Sequence, residues 1–162
     1  MVKAPLAQEA VGRNPADRGK NETKRHLLVD ARGVPLSIVV TGANRHDVTR
    51  LEAVLDEIMI YRPDDREQHL CGDKGYAGKP AQKVMKKHNY IPHVKQRGEE
   101  ILEKRANPDF KARRWVVEAA HSWFNRFRKL LVRYEKSIES YEALPHLAAA
   151  IIAFRKCGVI YV

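Results

Sequence analysis

One acidic residue stands alone in a strongly basic stretch near the C-terminal end of the sequence. Seven cations and one acid lie in residues 111–133: Lys111, Arg113, Arg114, Arg126, Arg128, Lys129 and Arg133 against Glu118. A basic face of this kind fits phosphate groups, which a carboxylate repels unless a divalent cation lies between them. Proteins hold Mg²⁺ with one or two carboxylates together with substrate phosphates. Glu118 is therefore a candidate metal ligand, and the alternative is a surface ion pair with Arg114 one helical turn earlier.

A second candidate carboxylate, Asp73, follows a short β-rich run. Residues Gln68–Gly72 predict a strand, and Asp73 comes directly after it in the sequence Gly72-Asp73-Lys74-Gly75-Tyr76. Ligands of open α/β sheets gather at the carboxyl ends of the strands. The two glycines allow close approach of the backbone, and Lys74 offers a partner for a phosphate. The alternative interpretation is an aspartate that serves a glycine-rich turn.

Periodic apolar residues place Glu118 on a helix. Spacings of four and three residues connect the apolar positions Val116, Ala120, Trp123, Phe127, Leu130 and Tyr134. The same spacings connect the polar positions Arg114, Glu118, His121, Asn125 and Arg128. This pattern predicts one amphipathic helix that continues to Tyr134, with the acid and the cations on its polar face.

Strands and helices alternate ahead of this helix. Two β-rich runs, residues 25–30 and 36–41, flank a turn that contains Gly33 and predict a β-hairpin. A helix over residues 48–60 capped by Asp47, the strand Gln68–Gly72, a helix over residues 79–88 and the strand Tyr90–Val94 follow. Residues 97–110 predict a loop, and the last helix covers residues 138–156 around Pro145. The order indicates an α/β fold with a mixed sheet and helices on its faces.

The composition favours a protein that binds a polyanion and argues against disulfide-rich, zinc-finger and membrane-spanning proteins. The chain has 162 residues, 44% of them apolar, and a net charge of +10. A domain this basic is typical of proteins that bind a polyanion, with nucleic acid favoured over an anionic membrane surface. Two cysteines are too few for a disulfide framework or a zinc finger. The sequence shows no signal peptide or membrane-spanning run, so we expect a cytoplasmic protein that does not bind membranes.

Several blocks of the sequence match one known pattern, in the same order and over nearly the whole chain. The longer blocks are Asn14-Pro15-Ala16-Asp17-Arg18-Gly19-Lys20, Lys24-Arg25-His26-Leu27-Leu28-Val29-Asp30, Gly42-Ala43-Asn44-Arg45-His46-Asp47, Asp73-Lys74-Gly75-Tyr76 and Arg114-Trp115-Val116-Val117-Glu118. Shorter blocks are His121-Ser122-Trp123, Asn125-Arg126-Phe127-Arg128 and Arg133-Tyr134-Glu135. Together they resemble insertion-sequence transposases of the DDE superfamily, of the IS-four and IS-five type. Each block alone is weakly specific, and the ordered set is specific.

The resemblance implies a ribonuclease-H-like catalytic domain that cleaves and transfers DNA strands at the ends of an insertion sequence. It implies that Asp73 is the second catalytic aspartate and Glu118 the catalytic glutamate, both as ligands of Mg²⁺ or Mn²⁺. The residues that would contact DNA are Lys74, Arg114, His121, Asn125, Arg126, Arg128 and Lys129. For His121 a structural role is the alternative. The sequence departs from the family pattern at Lys111, where a tyrosine is usual, and at Ala119, where an arginine is frequent.

The family's first catalytic aspartate has no counterpart in this sequence. In the family that aspartate lies on a strand just before the segment that matches Val2–Pro5, and this sequence begins at Met1. The strand is central in ribonuclease-H-like sheets. We therefore expect a fold that lacks its central first strand, with an extended arm at residues 1–23, a partial catalytic domain at 24–135 and a helical extension at 136–162.

These features lead to an expectation about partners. We expect the C-terminal part of a transposase, incomplete without an N-terminal polypeptide that supplies the missing strand. It would act in the nucleoid on double-stranded DNA, as a homo-oligomer or in a complex with that polypeptide.

Two other functions are compatible with the sequence. A catalytically inactive, DNA-binding relic of a transposase would keep the charge and the basic helix without cleaving DNA. A basic RNA-associated structural protein would have no reason to bring Asp73 and Glu118 together. Metal-dependent cleavage that requires Glu118 separates the transposase from both.

Overall fold

The structure is a computed structural model that describes residues 1–58, 60–61, 65–94, 105 and 114–158, the side chain of residue 114 excepted. Its strands and helices confirm the predicted α/β class. The loop predicted over residues 97–110 lies outside the described residues, apart from Arg105. Within the described part, no helix is long and apolar enough to cross a membrane.

An antiparallel sheet is built from the first part of the chain. β1 (Val2–Lys3) and β2 (Gly12–Arg13) pair with the start of β3 (Asn21–Val29). β4 (Pro35–Gly42) pairs with β3 from Thr23 to Val29, as the predicted hairpin requires. Residues 1–23, for which the sequence predicts an extended arm, thus contribute two short strands and the first three residues of β3 to the sheet.

The hairpin turn is fixed by one aspartate and one glycine. The Asp30 side chain accepts hydrogen bonds from the backbone amides of Arg32 and Val34, both at 2.8 Å. Gly33 has a φ of +83°, a conformation that side chains disfavour. A Cβ atom there would also lie 2.9 Å from the Trp123 ring, so the turn fits closely under that ring.

A second, parallel sheet follows. It consists of β5 (Gln68–Gly72) and β6 (Tyr90–Val94), which pair from Gln68↔Tyr90 to Gly72↔Val94. α2 (Lys79–Lys87) connects the two strands. The structure confirms the predicted bounds of both strands.

The antiparallel and parallel strands form two sheets rather than the one mixed sheet that the sequence predicts. Within the described residues, β3 from Lys24 to Val29 hydrogen-bonds to β4 on one side, and β5 to β6. No described strand joins the free edge of β3 to β5. The prediction of a single sheet therefore differs from the structure at this junction.

The helix predicted over residues 48–60 is shorter than its apolar pattern. A 3-10 turn at Asp47–Arg50 leads into α1 (Leu51–Asp56). The cap position belongs to His46, and Asp47 lies inside the turn, so the prediction of Asp47 as the helix cap is wrong. The Asp47 carboxylate instead lies within ion-pair distance of Lys24 and His26 of β3.

The basic helix also ends early. α3 covers Arg114–Phe124, whereas the pattern predicts a helix to Tyr134. Phe127 has extended backbone angles (φ −84°, ψ 107°), and a 3-10 turn at Arg128–Leu130 follows. The reason lies in Arg133, whose backbone amide donates to the Lys3 carbonyl at 2.8 Å and draws the chain toward β1.

Arg133 is fully buried and serves the fold. Its guanidinium donates to the Thr23 hydroxyl at 3.0 Å and to the backbone carbonyls of residues 10, 135, 136 and 137. The guanidinium also lies 4.9 Å from the centre of the Tyr141 ring. A buried charge is tolerated only when it is hydrogen-bonded in this way. Arg133 therefore does not contribute to the basic surface, although the sequence counts it among the seven cations of residues 111–133.

Replacing Arg133 with Met should destabilise the protein by about 2–4 kcal/mol, because the buried Thr23 hydroxyl and several partly buried carbonyls lose their donor at once. Urea unfolding followed by circular dichroism measures this change. Arg128→Met is the matched control, because Arg128 is exposed, and it should change the free energy of unfolding by no more than about 0.5 kcal/mol. Equal effects of the two substitutions would show that the Arg133 network does not stabilise the fold.

The last helix, α4 (Ile138–Lys156), has the predicted bounds. Ser137 caps it by accepting a hydrogen bond from the Ser140 amide. One core joins α3 and α4 to β4 through Phe124, Tyr141, Ile38 and neighbouring apolar residues. A second core joins α1 and α2 to the parallel sheet.

Candidate active site and nucleic-acid interface

Asp73 lies at the carboxyl end of β5, where it begins a short 3-10 turn at Lys74–Tyr76. Its Oδ1 atom accepts a hydrogen bond from the Gly75 amide at 2.8 Å, as the turn interpretation predicts. The side chain is exposed, and Oδ2 has no hydrogen-bond partner among the described residues. The turn thus fixes one carboxylate oxygen and leaves the other available to a ligand.

Asp47 begins a 3-10 turn that lies beside the turn after Asp73, Lys74–Tyr76. Burial, followed by the charges of Asp47 and Asp73, raises the pKa of the Tyr76 hydroxyl to about 12. The charges of both carboxylates therefore raise the pKa of the same hydroxyl group, that of Tyr76, at this end of β5. Sequence reasoning did not place Asp47 beside the turn after Asp73, because its position after β4 also suits a helix cap.

Asp47 is held by β3. Its Oδ1 atom lies 3.1 Å from His26 Nδ1 and 3.3 Å from Lys24 Nζ. His26 is buried, and its Nε2 atom lies 2.8 Å from the Thr41 hydroxyl. Burial lowers the pKa of His26, against the opposite effect of Asp47. The contacts of Asp47 with Lys24 and His26 therefore hold the turn that begins at Asp47 against the antiparallel sheet.

Glu118 lies on the solvent-facing side of α3. Its neighbours Val116 and Ala120 are buried, whereas Glu118 is exposed and has no ion-pair or hydrogen-bond partner among the described side chains. The alternative ion pair with Arg114 involves a side chain outside the described part, so it stays a prediction. The described contacts do not join Glu118 to Asp73.

His121 and Asn125 follow Glu118 along α3 and contact β3. The Asn125 side-chain oxygen accepts a hydrogen bond from Arg25 Nη2 at 3.0 Å. His121 shares a pocket with Arg25 and Phe124, and burial, followed by the charge of Arg25, lowers its pKa to about 4. His121 is therefore neutral at pH 7. Sequence reasoning did not predict that Arg25 contacts these residues. A charged residue within an apolar strand is the feature that could have indicated it.

The remaining predicted DNA contacts are exposed cations. Arg126, Arg128 and Lys129 follow the end of α3, and Lys74 lies in the turn after Asp73. Each is exposed and has no acidic partner among the described residues. Such side chains are free to neutralise phosphates. Arg114 lies at the start of α3, and its side chain is outside the described part.

The described residues do not complete a metal centre. No group of three or more His, Cys, Asp or Glu side chains among them is placed to hold a metal ion. The carboxylates of Asp73 and Glu118 are the ligand type that Mg²⁺ and Mn²⁺ prefer. Carboxylate ligands therefore suit such an ion, but the described residues bring too few ligands together to hold one.

Comparison with known proteins gives a consistent result. Residues 2–152 match the family of transposase DDE domains. A Burkholderia cepacia protein named as a transposase for insertion sequence element IS402 is 31% identical over 148 residues, which cover 88% of this chain and 68% of that protein. No solved structure matches the chain significantly. Because the family match extends over most of the sequence, the chain belongs to the transposase DDE domain family.

Proposed function

We propose that this chain supplies the second aspartate and the glutamate of a transposase that cleaves and transfers DNA strands at the ends of an insertion sequence. The observation that carries the proposal is the pair of exposed carboxylates without a cationic partner among the described residues, Asp73 and Glu118, in a family member with a net charge of +10. A carboxylate on a face that binds DNA repels the phosphates unless a divalent cation lies between them, and Mg²⁺ is commonly held by such carboxylates.

The family generally uses divalent metal ions, and we propose Mg²⁺ or Mn²⁺ here. When bound, such an ion stabilises charge on the phosphate during strand cleavage. Asp73 would offer Oδ2, because Oδ1 is engaged by Gly75. Glu118 would offer its carboxylate from α3. A further carboxylate has to come from outside the described residues, since these hold no set of three ligands.

The pairing of β1 supports a source for that carboxylate. β1 is antiparallel to β3, with Val2 opposite Thr23 and Lys3 opposite Glu22. Continued upstream in the same register, a strand would lie beside Lys24–Val29, on the side of β3 away from β4. This is the edge that no described strand occupies. We propose that a preceding polypeptide fills it.

Arg25 supports the same proposal. Its Nη1 atom is buried and has no hydrogen-bond partner among the described residues. An unpaired buried donor of a charged group costs about 1–3 kcal/mol or more. The position opposite Arg25 in the extended register precedes Met1, so side chains of an added strand would lie close to this guanidinium. An acid on that strand would offer Nη1 a partner.

The alternative is a DNA-binding relic without catalysis. The absence of three gathered metal ligands among the described residues favours it. Incubating a plasmid that carries the chromosomal flanks of the gene with this protein and Mg²⁺ or Mn²⁺ distinguishes the two, once the polypeptide encoded directly upstream is supplied. Specific nicks at the element ends support the transposase, and binding without nicks under any of these conditions supports the relic.

DNA binding itself should depend steeply on salt. Replacing Arg126, Arg128 and Lys129 together with Ala should lower the slope of log Kd against log salt by about 0.9 for each phosphate that is no longer neutralised. Fluorescence anisotropy with a labelled duplex at several salt concentrations measures the slope.

The matched control removes the same charge from another surface. Lys79, Lys83 and Lys86 are exposed on α2, and their combined replacement with Ala should leave the slope close to that of the unchanged protein. Equal slopes for the two triple variants would refute a DNA-binding face at the end of α3.

A further inference from the structure

Two histidines lie side by side on the exposed face of the parallel sheet. His69 lies on β5 and His93 on β6, and both side chains are exposed. The His69 Nδ1 atom lies 2.8 Å from the His93 Nε2 atom, and the ring centres are 4.9 Å apart. Leu70 and Tyr90 lie on the opposite face of the sheet, where they are buried in the second core. The alternation of the strands therefore presents both imidazoles to solvent.

The register of the sheet holds the two imidazoles at this distance. β5 and β6 are parallel, with His69 beside Ile91 and Cys71 beside His93. The two histidines are thus diagonal neighbours, with about 8 Å between their Cα atoms given the usual strand spacing and rise. The core on the other face of the sheet fixes both strands. The backbone therefore brings the two rings together without help from a ligand.

The distance between the ring nitrogens is also that of two ligands on one metal ion. An imidazole nitrogen binds a divalent transition metal ion at about 2.0 Å, so two such nitrogens at a right angle lie about 2.8 Å apart. Right angles between nitrogen ligands are typical of tetragonal Cu²⁺ and Ni²⁺ sites, whereas Mg²⁺ prefers oxygen. In the hydrogen bond between the rings, one nitrogen accepts and so carries no proton. A metal ion can take the place of the proton between the two rings.

We propose that His69 and His93 form a binding site for a divalent transition-metal ion such as Ni²⁺ or Cu²⁺. The site is distinct from the proposed catalytic centre, because it offers imidazole nitrogens instead of carboxylate oxygens. The described residues supply two ligands, and water completes the coordination. The bound ion links β5 to β6. Since Asp73 directly follows β5, the link holds the strand whose end carries that carboxylate.

Isothermal titration of the untagged chain with Ni²⁺, without DNA, tests the site independently of the catalytic proposal. His69→Gln and His93→Gln should each raise the Ni²⁺ dissociation constant at least tenfold, because each removes one of two ligands that act together. The double variant should bind little more weakly than either single variant. A large excess of Mg²⁺ should not displace Ni²⁺, because Mg²⁺ prefers oxygen ligands.

The matched control is His146→Gln, which removes an exposed histidine from α4 and should leave the Ni²⁺ dissociation constant unchanged. Circular dichroism should show the same fold for all variants, since the replaced side chains are exposed. Ni²⁺ should also raise the thermal unfolding midpoint of the unchanged chain and not that of the double variant, because an ion that binds the folded state stabilises it. Equal dissociation constants for the unchanged chain and the double variant would overturn the proposal.

Electron paramagnetic resonance with Cu²⁺ identifies the ligands directly. Cys71 and Cys157 are replaced by Ser for this measurement, because free thiols react with Cu²⁺. The Cu²⁺ signal should show splitting by two nitrogen nuclei, and by one nitrogen nucleus in the His93→Gln variant. The same nitrogen splitting with and without His93 would contradict a site shared by the two rings.

Discussion

Glu118→Gln should lower metal-dependent DNA cleavage by at least about 10³-fold, and Asp73→Asn should have an effect of the same size. Removal of a metal-binding carboxylate costs several kcal/mol of transition-state stabilisation, and about 4 kcal/mol corresponds to this factor. Both substitutions keep the shape of the side chain. Asp73→Asn also keeps an oxygen that can accept the Gly75 amide, so the turn should persist. The rate of plasmid nicking with Mg²⁺, in the presence of the polypeptide encoded upstream, measures the loss.

The variants should bind DNA as tightly as the unchanged chain or more tightly, because each loses a negative charge near the phosphates. Glu67→Gln removes an exposed acid just before β5 and should leave the nicking rate unchanged. A metal-specific readout adds a second check. The variant Asp73→Cys should show more activity with Mn²⁺ than with Mg²⁺, because the thiolate is a softer ligand. Full nicking activity of Glu118→Gln would refute the role of Glu118 as a metal ligand.

Supplying the upstream strand should convert an inactive chain into an active one. The first step is to read the nucleotides upstream of Met1 and to express the chain extended by the residues they encode. In the extended protein, the amides of Lys24–Val29 that point away from β4 should exchange with solvent at least about tenfold more slowly, because they gain hydrogen-bond partners. Hydrogen exchange followed by mass spectrometry or NMR measures this protection.

Experiments on the same extended protein distinguish the pairing of the added strand with β3 from its role in catalysis. If the added strand carries an aspartate, its replacement with Asn should abolish nicking and keep the protection of the β3 amides. Unprotected β3 amides in the extended protein would show that the strand does not add to this edge. An upstream sequence interrupted by stop codons would favour the relic.

The local sequence was enough to predict the strands, helices and turns whose boundaries are marked by residues within them or next to them. The predicted bounds of β5, β6 and α4 agree with the structure, because the residues that mark each element lie within it or next to it. The hairpin follows from two β-rich runs around Asp30 and Gly33, where the turn makes its own hydrogen bonds. The family too was accessible from the sequence, because its motifs are short, ordered and made of particular residue types. The pairing of Asp73 with Glu118, their metal and their DNA contacts stay predictions.

Tertiary structure decided the features that depend on distant partners. The apolar period continues past Phe124, yet the helix ends there because Arg133 bonds to the backbone of β1 and to residues far away in sequence. Asp47 has the sequence context of a cap, and only the fold brings Lys24 and His26 to its carboxylate. The separation into two sheets depends on whether a strand lies between β3 and β5, and the local pattern does not contain that information. Burial converts a cation into a core residue when enough carbonyls converge on it, and that convergence exists only in three dimensions.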